Sequence, residues 1–131
     1  MRGRAVLLLG VLVLIGAPLG WWLLTPRDVT STTTIDSVRV GSSTRQLSVT
    51  YRAGTPRCFA PAGVQVKESP REVRLTARTV HRDVKPFRAY ACTLAEVSAR
   101  SQVALTDPLG DRRVIDTSRA KDGGGVLTVA D

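Results

Sequence analysis

Apolar and polar residues alternate with a period of two along much of this chain. Leu47, Val49 and Tyr51 alternate with Ser48 and Thr50, Val64 and Val66 with Gln65 and Lys67, and Val73, Leu75 and Ala77 with Arg74 and Thr76. Successive side chains of a strand point to opposite faces, so this pattern predicts half-buried β-strands. A shorter run, Val38 and Val40 around Arg39, predicts another. From 97 to 105 the odd positions read Val97, Ala99, Ser101, Val103 and Leu105, with Arg100 and Gln102 outward, and Arg113-Val114-Ile115-Asp116 makes a last short strand. Turn residues separate the runs: Gly41-Ser42-Ser43, Arg52 to Pro56, Ser69-Pro70-Arg71 and Asp107 to Asp111. The runs on either side of Ser69-Pro70-Arg71 read as a central β-hairpin, bounded by the only two cysteines, Cys58 and Cys92. The expected fold is all-β, a small antiparallel sandwich or open barrel of five to six strands, preceded by one N-terminal transmembrane helix.

That helix is residues 5–24, twenty positions without a charge. As a helix the run is about 30 Å long, the thickness of a bilayer's hydrocarbon core. Trp21 and Trp22 stand at its far end, where an aromatic belt lies, and Arg2 and Arg4 precede it, which keeps residues 1–4 in the cytoplasm and sends the remainder outside. A cleaved signal peptide is the alternative. Its apolar region is usually shorter and ends in small residues, whereas here Pro18 follows Ala17. Both readings export the domain. Residues 25–34, with Pro26 and a Thr/Ser cluster, read as a flexible tether, residues 35–119 as the extracytoplasmic β domain, and residues 120–131, with Gly123-Gly124-Gly125, as a loose tail holding at most a weak strand near Val126. Residues 81–91 show no period and read as an irregular basic loop.

Export places Cys58 and Cys92 where thiols oxidise, and with two cysteines only one intramolecular disulfide is available. The sequence has 19 Lys and Arg against 11 Asp and Glu, a net charge of +8, and arginine supplies most of the excess. A solvated basic surface is the simplest reading. The sharper one is an anionic partner, lipid or envelope polymer, held at Arg74, Arg78, Arg82, Lys85 and Arg88, with Arg71 at the turn. Nucleic acid is an unsuited partner for an outward domain without interleaved aromatics.

Catalytic chemistry is poorly supplied. His81 is the only histidine, and with Asp83 nearby it reads as a polar residue of the basic loop rather than as a base. No serine sits in a nucleophile elbow. A metal site lacks ligands once the cysteines pair, and Gly123-Gly124-Gly125 has no context of a phosphate loop. No enzyme activity, cofactor or metal is therefore expected. Pro108-Leu109-Gly110 reads as a tight turn in which Leu109 caps the core, with Arg112 after it to pair with Glu68 or Asp116.

The order Tyr51-x-x-Gly54, Cys58, Val64-x-Val66-x-Glu68, an alternating strand, Cys92, Leu105-x-x-Pro108-Leu109-Gly110-x-Arg112 and Asp116 resembles small exported or membrane-anchored two-cysteine β-rich domains of high-GC Gram-positive (actinobacterial) bacteria. The resemblance covers about half the chain and implies a location and a β-rich fold, but no activity. The loop 81–91 is longer and more basic than that pattern implies. The expectation is a single-pass membrane protein whose outward β domain is a binding or structural module. A secreted domain after cleavage is the alternative, and a small exported enzyme a minor one.

Overall fold

The structure is a computed structural model that describes residues 20, 21, 25, 27–84, 92, 95–122 and 124–130. Residues 1–4, the apolar run apart from Gly20 and Trp21, and the candidate residues Lys85 and Arg88 lie outside the described residues. The chain forms strands β1 (Arg27–Thr33), β2 (Ile35–Val40), β3 (Gln46–Gly54), β4 (Phe59–Glu68), β5 (Glu72–Val84), β6 (Val97–Ala104) and β7 (Arg113–Asp116), then a single 3-10 turn (Ala120–Asp122), β8 (Val126–Leu127) and β9 (Val129–Ala130). They make two sheets, in an all-β sandwich rather than a closed barrel.

In the five-stranded sheet β5 is central. β4 runs antiparallel along one side of it. The other side is divided end to end: β7 lies parallel to residues 72–75, and β1 lies antiparallel to residues 77–84. β8 then pairs with β7. The four-stranded sheet has the order β6-β3-β2-β9, with β9 parallel to β2. The chain passes from the first sheet to the second at Thr34, between β1 and β2.

The alternating residues face each other across the two sheets. Leu47, Val49 and Tyr51 of β3 and Val73, Leu75 and Ala77 of β5 are at most 1% exposed, and they pack with Ile35, Val38, Val103, Leu105, Leu109 and Val114. Burial of each such large side chain contributes about 1.5–3 kcal/mol before entropy is counted. Ile35 and Val38 are three positions apart yet both point inward, because a register shift between Ile35 and Ser37 inserts an extra residue. Leu109 caps the core from the 107–111 turn, as the turn chemistry implied. Gly110 takes a positive φ of 52° there.

Four segments differ from expectation. Residues 27–33, read as part of a tether, are strand β1. Its faces are exposed and polar, so apolar alternation cannot reveal it, and it is held by its ladder to β5 and by a Ser31–Thr79 hydroxyl contact of 3.2 Å. β5 continues to Val84, so His81 and Arg82 belong to a strand and not to a loop. β4 begins at Phe59, upstream of Pro61 and Gly63. Proline is accepted because β4 pairs only with β5, and a bulge between Pro61 and Val64 accommodates Gly63 at a φ of 85°. The last dozen residues, read as a loose tail with at most a weak strand near Val126, do hold short strands there, but these are two, β8 and β9, and they join different sheets.

The disulfide Cys58–Cys92 is present. It ties the start of β4 to the connection between β5 and β6, closing a 34-residue loop around the central hairpin. Loop-closure entropy for that length is worth about 3.5–4 kcal/mol.

Candidate functional site

β5 presents its even positions to solvent, because its odd positions fill the core. Arg74, Arg78 and Arg82 therefore stand on one outer face, at four-residue intervals along a single strand. Cross-strand register adds two more cations. Lys67 of β4 is directly opposite Arg74, and Arg113 of β7 is directly opposite Glu72. Glu72 is an acidic side chain set among these cations. It accepts a hydrogen bond from Arg74 Nε at 2.6 Å and lies 3.9 Å from Arg113. Among the described residues no carboxylate pairs with Lys67, Arg78 or Arg82. Between the cations the same face carries Val80, Ile115 and Val126, the last 60% exposed. Of the residues singled out from the sequence, Arg74, Arg78 and Arg82 thus share this face, and Arg71 sits on the adjoining turn. Lys67 and Arg113 were missed because only cross-strand register places them there.

The outer face of the other sheet is different in kind. Arg52 of β3 is held by Asp36 at 3.3 Å and Glu96 at 3.5 Å. Around it stand Ser37, Ser48, Thr50, Ser98 and Gln102, with Arg39 and Arg100 as further cations.

Three other polar clusters serve the fold. At the tip of the central hairpin, the Arg112 side chain is 11% exposed and its guanidinium donates four hydrogen bonds. It donates to Glu68 Oε2 at 2.9 Å and to the carbonyls of Asp107, Pro108 and Leu109 at 2.7, 2.9 and 3.2 Å. The alternative pairing of Arg112 with Asp116 is not formed. Glu68 also accepts the Thr106 amide at 2.7 Å, and that bond first, then Arg112, lowers its pKa from the ordinary 4.5 to about 2. An open groove of about 490 Å³ lies beside this cluster, between Pro70 and the 107–111 turn. Its two half-buried charges, Glu68 and Arg112, are committed to holding the turn.

Asp116 is fully buried between the sheets. Its carboxylate accepts the Ile35 amide of the opposite sheet at 3.0 Å, and the Ser118 amide and hydroxyl at 2.9 and 2.8 Å, with Arg119 at 3.8 Å. It is a brace between layers.

His81 points inward at the open end of the sandwich, where its ring stacks on Phe59 with centroids 4.7 Å apart. Phe59 is seated against Gly54, whose φ of 77° and lack of a side chain admit the ring; a Cβ there would lie 2.8 Å from it. The ligating atoms of His81, Cys58 and Cys92 lie within 4.8 Å of one another. Joined as a disulfide, the sulfurs are not thiolates, so the trio is no metal site while the bond is intact.

The fold therefore uses some charges to hold its turns and layers, and leaves others on its outer faces, more of them on the five-stranded sheet. Compared with protein-family models, with curated proteins and with solved structures, the chain matches none.

Proposed function

We propose that the chain is a membrane-anchored extracytoplasmic β-sandwich that serves as a non-catalytic binding module. The outer face of the five-stranded sheet is its contact surface for an anionic component of the cell envelope. The observation that carries this reading is the register that sets Lys67, Arg74, Arg78, Arg82 and Arg113 along one outer face, where among the described residues Glu72 pairs with Arg74 and Arg113 alone. Lys67 directly opposes Arg74, whose charge Glu72 offsets, so this cross-strand pair leaves excess positive charge on the face. The twenty uncharged residues after Arg2 and Arg4 support export with an anchor. The Cys58–Cys92 bond supports an oxidising surrounding. The likeness to small exported actinobacterial domains belongs to the same reading.

The test uses the full-length chain. Salt-sensitive retention on an immobilised phosphate-rich polymer is expected, and loss of retention when Lys67, Arg74, Arg78 and Arg82 are all changed to Gln. Equal retention of parent and variant overturns the binding face. Alkaline carbonate washing of membranes tests the anchor. Release of the chain, with an intact mass about 2 kDa short, favours cleavage and a secreted domain.

A further inference from the structure

We infer that the partner of the basic face is the headgroup layer of the membrane that holds the chain itself, and that the sandwich lies on that layer with its five-stranded sheet downward. This rests on the anchored reading above. Gly20 and Trp21 are helical, and both the amide and the hydroxyl of Thr25 donate to the Trp21 carbonyl, at 3.1 and 2.9 Å. This i to i+4 closure ends at Thr25, and β1 begins two residues later at Arg27. Two residues reach at most about 7 Å. A ten-residue tether would let the domain wander; this link holds the start of β1 at the lipid surface.

β1 is a strand of the basic sheet. Arg27 pairs with Val84, so the end of β5 that carries Arg82 is brought down with it. Two postures remain. Standing on this end, the sheet lifts Arg78 about 13 Å and Arg74 about 26 Å further from the surface than Arg82, at 3.3 Å per residue. Screening removes such charges from play, since the Debye length is about 8 Å at physiological salt. Lying on its outer face, the sheet turns the cations of β4, β5 and β7 toward the headgroups together. Each basic side chain near an anionic leaflet strengthens association roughly fivefold, so the charge favours lying down. Val80, Ile115 and Val126, set among the cations, suit a surface at the boundary of headgroups and acyl chains. The opposite sheet carries fewer cations, Arg39 and Arg100 beside an Arg52 held by two acids, among a row of hydroxyls, and then faces away.

The experiment places a small fluorescent amino acid at Gln65, exposed on the outer face of β4, or at Gln102, exposed on the outer face of β6. Each full-length protein is reconstituted into vesicles with quencher-bearing headgroups. In phosphatidylglycerol-rich vesicles the Gln65 probe is expected to be quenched at least roughly fivefold more than the Gln102 probe, the bias that even one cation confers. The contrast should vanish in neutral vesicles and at about 1 M salt, where the Debye length is near 3 Å, and should shrink in the Arg78→Gln/Arg82→Gln variant, whose unchanged melting shows that it folds. Equal quenching of both probes in carbonate-washed anionic vesicles overturns the posture while leaving the anchor intact. A Gln65 probe shielded by added anionic envelope polymer, but not by lipid, overturns it in favour of the polymer. A chain that the carbonate wash removes overturns it together with the anchored reading, and the wash tells these cases apart.

Discussion

The seam between the two sheets and the outer face of the larger one carry similar residues to opposite ends. In the seam, Asp116 is fully buried and accepts from both layers, and at its margin Arg112 meets four acceptors. On the face, Lys67, Arg78 and Arg82 meet no carboxylate among the described residues, and Arg74 and Arg113 share one. A buried charge must be hydrogen-bonded or the fold fails. An exposed charge on a sheet is nearly neutral for stability. The seam therefore reports on folding, and the face is open to selection for binding.

The sharpest way to break the distinction is Asp116→Ala. It strands the buried Ile35 amide and loses the link between layers, so unfolding by urea should show a loss of about 2–4 kcal/mol. Asp116→Asn should recover little, since its amide nitrogen would face a donor where an oxygen now accepts. Next is Arg112→Ala, which leaves Glu68 without its guanidinium and frees three turn carbonyls. A loss of about 1.5–3 kcal/mol is expected, and unchanged melting would show the cluster to be idle.

Acid sharpens the same contrast. Glu68 titrates near 2 in the fold and near 4.5 when unfolded, so its carboxylate stabilises the protein fully above about pH 4.5. That contribution is lost as pH falls from about 4.5 through about 2. Melting followed across this window should steepen downward in the parent and flatten in Glu68→Gln. The smallest effect on stability is expected on the face. Changing Arg78 and Arg82 to Gln should alter unfolding free energy by no more than about 0.5 kcal/mol, while salt-sensitive binding to an anionic surface falls.

Much of the sandwich is legible in the alternation of β3, the middle of β5 and β6, because those strands have one buried face. β1 is not, since Ser31, Thr32 and Thr33 lie along an exposed sheet margin and carry no apolar period. Its threonines were the available signal, as β-branched residues favour strands. The far end of β5 escaped for a related reason: Thr79 and His81 take inward positions that Val or Leu usually fills. Arg74 and Arg78 could be put on one face from their spacing alone. Lys67 and Arg113 needed register, and Arg113 reaches β5 through a parallel pairing forty-one residues distant from Glu72.

β5 also sets the order in which the molecule can assemble. Its partner β4 is delivered by a three-residue turn and can zip at once. β1 and β7 must both find the remaining side of β5 from opposite directions in the chain, and each closes a loop of more than forty residues to do so. Distant pairings are slow to form. The hairpin is thus expected to be the early, protected unit in a hydrogen-exchange time course, and the parallel β5–β7 ladder, with β8 behind it, the last to acquire protection.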